Sequence, residues 1–217
     1  MQEIFSGVWK EGNRLVTLNM TPGKKVYTEQ LVKVKGVEYR EWIAYKSKAA
    51  AAVTKGLKYF PLKHGDKVLY LGASSGTTVS HFSDIVGGQG VIYAVEISER
   101  SLRDLNVVAE IRTNIIPILA NARLPDSYNW IEKADIVYQD VATDDQSEIL
   151  IRNCEKFLKP GGTAMIAIKS RSIDVTKEPK EIYKQELEKL SKHFKVIEKV
   201  ELDPLEKDHM FIVLRWK

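Results

Sequence analysis

The sequence predicts an α/β protein in which a doubly wound, mostly parallel sheet follows a small antiparallel β domain. From residue 47 onwards, short apolar stretches alternate with stretches of helical periodicity, which is the pattern of βαβ units. Before residue 47, short β-type runs are separated by EGN, TPGKK and VKG, and turn residues at such spacing are typical of hairpins. We therefore expect two domains, residues 1–46 and 47–217.

The elements of the larger domain can be predicted in order. A first helix is expected to begin at Ser47, a good N-cap residue, and to end at Pro61. The predicted strands are KVLYLG, GVIYAVEI, IIPILA, ADIVYQDV, GGTAMIAIK, FKVIEKVEL and DHMFIVLRW. The helices between them are TTVSHFSDIV, SERSLRDLNVVAEI, DQSEILIRNCEKFL and EPKEIYKQELEKLSKH. Because no helix separates the last two strands, they are expected to pair antiparallel, which makes the seven-stranded sheet mixed.

The composition is that of an ordinary soluble globular protein, with 44% hydrophobic and 29% charged residues. No apolar run is long enough to span a membrane and no signal-peptide core is present, so we expect a cytoplasmic protein without a membrane partner. The net charge of +4 permits a nucleic-acid partner without requiring one. Cys154, the single cysteine, is expected to be a small buried helix residue. No cluster with metal-ligand spacing occurs, so no metal is expected.

The most informative stretch is LGASSGTTVSHFSD, residues 71–84, which joins the first strand of the large sheet to its helix. Ligands of doubly wound sheets bind beyond the carboxyl ends of the strands, and glycine lets the backbone turn tightly beside them. The spacing Gly72-x-x-x-Gly76 differs from the G-x-G-x-x-G of dinucleotide binders.

Glu96 ends the second strand of the same sheet. A carboxylate at this place can accept hydrogen bonds from both ribose hydroxyls of a nucleoside. The alternative is a solvated acid at a strand end, but the glycine loop upstream favours a ligand. Loop and acid together indicate an adenosine ligand with little or no phosphate, so S-adenosylmethionine (SAM) fits better than NAD.

Several motifs make the chain resemble the fibrillarin family in its short archaeal form. They are VLYLGASSGTTVSHFSDIVG, VIYAVEIS with the RS and RDL that follow, RTNIIPI with a later AR, and, near the N-terminus, VKGVEYREW and SKAAAA. The resemblance implies a Rossmann-like, SAM-dependent methyltransferase fold and 2′-O-ribose methylation of rRNA and tRNA. It also implies partners within a box C/D ribonucleoprotein: a guide RNA, a Nop-family scaffold protein and a kink-turn-binding ribosomal-type protein.

The resemblance further implies the site residues. The four catalytic positions fall on Lys48, Asp140, Lys169 and His209. The positions that bind the cofactor fall on Gly72, Ala73, Gly76, Thr77, Thr78, Glu96, Ile97, Asn121, Ala122, Asp140 and Gln146.

Three departures from the family pattern lie close to these positions. Ile97 stands where the family often has Phe, so an aromatic face against adenine is lost while apolar packing remains. Asn121 stands where the family usually has Asp, and its amide offers the adenine edge both a donor and an acceptor. Lys46 replaces an Arg and Ala44 a Pro, and lysine cannot form the bidentate fork of arginine.

The chemistry suggests a role for each catalytic position. Lys169 either takes the proton of the 2′-hydroxyl or, while charged, stabilises the developing alkoxide, and both roles stay open. Asp140 is expected to orient Lys169 and to complement the sulfonium of SAM, Lys48 to hold the target phosphate or ribose, and His209 to support the array. The plainer alternatives are surface charges at Lys48 and Lys169, a structural histidine at 209 and a helix cap at Asp140, for which Asp144 is equally suited.

Three other functions compete with this hypothesis. A SAM enzyme that acts on a small molecule or a protein would have less use for two lysines, which favour an anionic substrate. A non-catalytic assembly module that binds SAM or RNA would not need the four catalytic positions. An NAD-dependent dehydrogenase is disfavoured by the spacing of the glycine loop. The chain carries no recognised RNA-binding module, so its target specificity is expected to come from a guide RNA. The family resemblance makes the small N-terminal sheet and the adjacent helical surface candidate docking sites for the scaffold protein.

Overall fold

The structure, a computed structural model, describes all residues from 1 to 217. Its N-terminal part is a five-stranded antiparallel sheet with the order β1-β2-β3-β5-β4. The strands are β1 (Gln2–Phe5), β2 (Val8–Glu11), β3 (Arg14–Leu18), β4 (Leu31–Val34) and β5 (Val37–Glu41). The predicted sheet of hairpins is therefore confirmed. All strands of this sheet precede residue 47, and the strands of the larger sheet follow it. The domain boundary at residue 47 itself stays a prediction.

The larger sheet has seven strands in the order β11-β12-β10-β9-β6-β7-β8. They are β6 (Lys67–Leu71), β7 (Val91–Glu96), β8 (Ile115–Leu119), β9 (Ala134–Gln139), β10 (Leu158–Lys169), β11 (Phe194–Glu201) and β12 (His209–Trp216). Strands β6 to β10 are parallel, whereas β12 is antiparallel to both β10 and β11. The predicted doubly wound, mixed sheet is confirmed, including its final antiparallel pair.

Six α-helices accompany the sheet: α1 (Lys48–Thr54), α2 (Thr77–Val86), α3 (Glu99–Ile111), α4 (Gln146–Phe157), α5 (Ser170–Ile173) and α6 (Pro179–His193). Short 3-10 helices span Ala44–Lys46 and Pro125–Tyr128. None of these helices combines the length and apolar character needed to cross a membrane.

Side chains alternate along each strand, so the large sheet contributes to a hydrophobic cluster on each of its two faces. In β6, Val68 and Tyr70 join one hydrophobic cluster, while Leu69 and Leu71 join the other. Cys154 is buried in the second cluster, as predicted. This arrangement leaves the carboxyl ends of the parallel strands free to carry a site.

Helix α1 begins as predicted but ends earlier. Ser47 caps it, with its Oγ accepting a hydrogen bond from the amide of Ala50 at 3.4 Å. The helix stops at Thr54 rather than at Pro61, because Gly56 adopts a φ of +94° and turns the chain away. Its short length is sufficient to place Lys48, its first residue, over the end of the sheet.

A buried polar network joins the N-terminal sheet to α2 and α3. Arg40 lies 2.7 Å from Glu29 and 2.9 Å from Asp84, and Arg112 reaches the second oxygen of Asp84 at 2.6 Å. Neither guanidinium has any exposed surface. His81 lies in the same layer, with both ring nitrogens hydrogen-bonded. Because every unmatched charge in such a network would be costly, the network holds the two sheets in one relative position.

Candidate active site

A cleft of about 300 Å³ lies beyond the carboxyl ends of β6, β7, β8 and β9. Six of the predicted cofactor residues line it: Gly72, Glu96, Ile97, Asn121, Ala122 and Asp140. The lining also includes Ser74, Val95, Ala120, Arg123, Val141, Ala142, Thr143 and Ile149. A concave, largely apolar pocket with a few convergent polar groups is typical of a small-molecule site.

The carboxylate of Glu96 in this cleft is held by the backbone. Its two carboxylate oxygens accept hydrogen bonds from the backbone amides of Ser74, at 2.7 Å, and Ser98, at 2.8 Å. These bonds fix the carboxylate at the end of β7, and each oxygen keeps a further lone pair for a ligand. Beside it, the side chain of Ile97 is 65% exposed. A fixed double acceptor next to an open apolar surface matches a ribose with an attached base.

Both glycines of the loop adopt a positive φ, a conformation that fits the predicted tight turn. At Gly72, where φ is +82°, a Cβ would lie 2.4 Å from the carbonyl oxygen of Asp140. At Gly76, where φ is +93°, a Cβ would lie 2.9 Å from a methyl group of Leu105. The fold therefore requires glycine at both positions: each has a positive φ, and at Gly72 the backbone of Asp140 also leaves no room for a side chain.

The other predicted cofactor side chains do not line the cleft. Ala73 is buried in the core, and Thr77 faces a separate groove between α3 and the connection from β3 to β4. Thr78 is buried and donates its hydroxyl to Ser47 Oγ at 3.0 Å, so it supports the cap of α1. Only the backbone of this loop remains available to the cleft at these positions.

Gln146 also has a structural task. Its side-chain nitrogen donates to the carbonyl of Lys169 at 3.0 Å, and its oxygen accepts from the amide of Lys169 at 2.9 Å. The amide thus joins the first residue of α4 to the last residue of β10. It fixes the backbone from which the Lys169 side chain projects.

The four predicted catalytic residues gather at this end of the sheet. Lys169 ends β10 and His209 begins β12, and the two are register partners in the antiparallel pair, so they share one face. Asp140 follows β9, the other neighbour of β10. Lys48, from the start of α1, lies with its Nζ 3.0 Å from Asp140 Oδ2. Asp140 therefore orients Lys48, and not Lys169 as the sequence suggested.

The pKa values of Lys48 and His209 are shifted in opposite directions. Burial lowers the pKa of Lys48, but the charge and hydrogen bond of Asp140 outweigh burial, so that its pKa is raised. Burial and the nearby charge of Lys48 lower the pKa of His209. Neutral His209 donates from Nδ1 to the carbonyl of Lys207 at 2.7 Å, and its buried Nε2 has no partner in the protein. Nε2 is thus a free hydrogen-bond acceptor.

Neither suggested aspartate caps the helix after β9. Asp140 pairs with Lys48, Asp144 pairs with Arg123 at 3.0 Å, and the N-cap position is Asp145, whose side chain makes no capping bond. Arg123, which lines the cleft, was not assigned from the sequence. Its partners are 21 and 22 residues away, so only the folded chain reveals them.

No group of three or more histidine, cysteine, aspartate or glutamate side chains is placed to hold a metal ion.

Comparison with known proteins covers the whole chain. The model of the family described as Fibrillarin matches residues 1–217. A curated relative from Sulfolobus acidocaldarius, named fibrillarin-like rRNA/tRNA 2′-O-methyltransferase, is 52% identical across 99% of this chain and 94% of its own length.

Two solved structures are similarly close. The Aeropyrum pernix fibrillarin with natively bound S-adenosyl-L-methionine is 49% identical, with a TM-score of 0.87 over 93% of this chain and 88% of that one. A fibrillarin in complex with Nop5p is 42% identical, with a TM-score of 0.90 over 98% of both chains. Sequence and fold thus agree over nearly the full length, and this chain belongs to the fibrillarin family.

Proposed function

We propose that this chain transfers a methyl group from SAM to the 2′-oxygen of a ribose in rRNA and tRNA, as the catalytic subunit of a guide-RNA-directed particle. Its family makes it a SAM-dependent methyltransferase, and the relative from S. acidocaldarius carries the rRNA/tRNA 2′-O-methyltransferase name. The observation that carries the proposal is the Lys48–Asp140 pair, which lies at the cofactor cleft beside the strand ends of Lys169 and His209.

The cleft suits SAM because its polar groups are placed for a nucleoside. Glu96 is held with free lone pairs for two ribose hydroxyls, and Ile97 provides an apolar surface for the adenine. The Oδ1 of Asn121 accepts a hydrogen bond from the backbone amide of Arg123 at 2.9 Å. The NH₂ group of Asn121 is therefore left to donate a hydrogen bond to a ligand in the cleft. We propose these residues, together with Gly72, Ala122 and the backbone of the 73–78 loop, as the cofactor site.

When bound, SAM supplies an electrophilic methyl group on a positively charged sulfur. The residues of this chain have to bring a ribose hydroxyl to within about 3 Å of that methyl and to deal with its proton. Asp140 lies in the wall of the cleft, where its negative charge complements a sulfonium while it holds Lys48. Lys48, held by Asp140, is available to the phosphate or ribose of the target.

Lys169 is the residue that we propose to act directly on the reacting 2′-oxygen. Two roles remain for it: accepting the proton of the 2′-hydroxyl, or stabilising the developing oxyanion as an ammonium. His209 is the register partner of Lys169, and the buried, unpartnered Nε2 of its neutral ring can accept a hydrogen bond from the lysine.

The partners are proposed on the basis of the relatives. The fibrillarin/Nop5p complex supports a Nop-family scaffold protein, with the N-terminal sheet as a candidate docking surface. A guide RNA is proposed because the chain has a net charge of only +4 and no recognised RNA-binding module. A kink-turn-binding protein completes the proposed particle.

The test is transfer of labelled methyl from SAM to a short RNA paired with its guide in the reconstituted particle. The control RNA carries a 2′-deoxy sugar at the target nucleotide. Label on the ribose substrate and none on the control is expected. Equal label on both would move the chemistry to a base or a protein, and SAM binding without label would support an assembly module instead.

The same assay separates the roles of Lys169. Lys169→Arg keeps a positive charge but cannot accept a proton near neutral pH. Loss of transfer is expected if Lys169 is the base, whereas full transfer by this variant would exclude proton acceptance and leave charge stabilisation.

A further inference from the structure

We propose that Arg123 is a positioning residue that fastens two walls of the cofactor cleft to each other and slows the release of bound SAM. The inference rests on the proposed function only in naming SAM as the occupant of the cleft. The fastening itself is a property of the folded chain.

Two of the walls of the cleft are separate in sequence, and the loop after β6 and the end of β7 add to the lining. One wall is the loop after β8, residues 120–123, and the other is the loop after β9, residues 140–143, which leads through residues 144 and 145 into α4. No ladder hydrogen bond joins these loops, because β6 and β7 lie between β9 and β8 in the sheet. Each loop is therefore free to move relative to the other unless side chains connect them.

Two side chains make such a connection. Buried Asn153 of α4 donates to the carbonyl of Ala122 at 2.9 Å, and the partly exposed Arg123 joins the same loop to Asp144 and Asp145 at the entrance of α4. The Nε of Arg123 lies 3.1 and 2.9 Å from the two carboxylate oxygens of Asp145. Its Nη2 lies 2.7 Å from Oδ1 of Asp145 and 3.0 Å from Oδ1 of Asp144. The planar guanidinium thus grips Asp145 through two nitrogens, a geometry that lysine cannot reproduce. One residue of the first wall is tied to the helix entrance behind the second wall.

The direction of the Arg123 side chain is set locally. The side-chain oxygen of Asn121 accepts the backbone amide of Arg123 at 2.9 Å, which forms a tight turn at the tip of the first wall. The hydrogen bonds from Arg123 also hold the pKa of Asp145 below its ordinary value, so the pair stays charged to a lower pH than an unpaired aspartate would.

The connection is built to open. The side chain of Arg123 is 41% exposed and that of Asp145 is 29% exposed, so water competes for both groups. Such an ion pair breaks and re-forms readily, so it adds only a moderate free-energy barrier to the entry and exit of a ligand. Asp145 is also reached by Arg152 of α4 at 3.4 Å, but Arg152 does not line the cleft.

The experiment measures the dissociation rate of labelled SAM from the full chain by displacement with unlabelled SAM. Arg123→Ala is expected to raise this rate about fivefold, since a partly exposed ion pair is worth little more. Asp145→Asn should raise it similarly, and Arg123→Lys by an intermediate factor. Arg152→Ala is the matched control, because it removes a cation from the same carboxylate without separating the walls, and it should leave the rate within about twofold.

A second measurement needs no cofactor. Amide hydrogen exchange of residues 120–124 and 140–145 in the free protein should be faster in Arg123→Ala than in Arg152→Ala. Equal dissociation rates and equal exchange in the two variants would overturn the proposal. A wild-type chain that fails to bind SAM would instead overturn the proposed function, while the exchange comparison would still decide whether Arg123 joins the walls.

Discussion

Lys48 Nζ lies 3.0 Å from Asp140 Oδ2, although the two residues are 92 positions apart in the chain. The ammonium comes from the first residue of α1, and the carboxylate comes from the loop after β9. Both side chains are only about one-fifth exposed. The pair therefore joins the helix that follows the N-terminal sheet to the wall of the cofactor cleft.

Removal of the Lys48 side chain should impair methyl transfer far more than it impairs the binding of SAM. We expect Lys48→Ala to lower single-turnover methyl transfer in the reconstituted particle by about 100-fold or more, because a positioned charge near the reacting oxygen is lost. Binding of SAM, measured by calorimetry, should change by less than about threefold, a free-energy difference well under 1 kcal/mol.

The matched control for this variant is Lys55→Ala. Lys55 follows the last residue of the same helix and donates to the carbonyl of Asp203, away from the cleft. Transfer by Lys55→Ala should equal that of the wild type, and wild-type transfer by Lys48→Ala would exclude Lys48 from the chemistry.

Ile97 offers a gain of binding. Its side chain lines the cleft and is 65% exposed, so a larger flat ring can be accommodated there. Ile97→Phe should bind SAM more tightly by about 0.5–1.5 kcal/mol, the range found for added aromatic stacking. The measurement is calorimetric titration with SAM, and Ile97→Leu, which adds no ring, is the control. Equal affinity of the Phe and Leu variants would show that the adenine does not lie on this surface.

Gly72 should tolerate no side chain. Gly72→Ala would combine a positive φ with a Cβ placed 2.4 Å from the carbonyl oxygen of Asp140, a backbone atom that cannot move alone. The positive φ by itself costs about 1–2 kcal/mol, and displacement of the Asp140 loop should bring the loss of unfolding free energy above about 3 kcal/mol.

Gly23→Ala isolates the conformational part of that cost. Gly23 has a φ of +79° but nothing within 4 Å of the position of a Cβ. Denaturant unfolding should therefore give a loss of only about 1–2 kcal/mol for this control. Similar losses in the two variants would mean that the contact between Gly72 and Asp140 carries no strain.

Acid should weaken the fold through His81. Its ring nitrogens lie 2.8 and 2.7 Å from the hydroxyl oxygens of Thr17 and Tyr27. Complete burial, together with the charges of Arg40 and Arg112, lowers its pKa well below the usual value of 6.5. Below pH 6.5 the unfolded chain binds a proton that the folded chain does not, so stability is full above this pH and falls as the pH decreases toward the folded pKa.

The slope of this loss is about 1.4 kcal/mol per pH unit for each such histidine. His209 also has a lowered pKa and adds to the slope. His81→Gln should reduce the slope between pH 6.5 and pH 5 by up to one such increment, as measured by urea unfolding at several pH values. The same slope in wild type and variant would assign the acid sensitivity to other groups.

Local pattern was a reliable guide wherever a segment makes its own structure. The prediction for α2 was TTVSHFSDIV, and the helix spans those residues, Thr77–Val86. The Ser47 cap was found correctly because capping depends on a bond between residues three positions apart. The predicted end of α1 was wrong by several residues. Good helix formers continue beyond Gly56, but Gly56 itself adopts a left-handed backbone conformation that ends the helix.

The candidate site divides along the same line. The amino-acid sequence by itself determined the alternation of strands and helices, and with it the edge of the sheet where Glu96, Asp140 and Lys169 had to lie, because parallel strands bring their carboxyl ends together. The family motifs added the remaining candidate residues. All of this information is carried by neighbours in the chain or by short motifs.

Only the tertiary structure decided which side chains meet. It paired Asp140 with Lys48 instead of Lys169, turned Thr78 away from the cleft toward Ser47, and joined Arg123 to Asp145. These contacts depend on distances between segments that local propensity does not encode. A charged or hydroxyl group takes whichever partner the packed backbone brings within hydrogen-bond reach, and that choice exists only once the chain has folded.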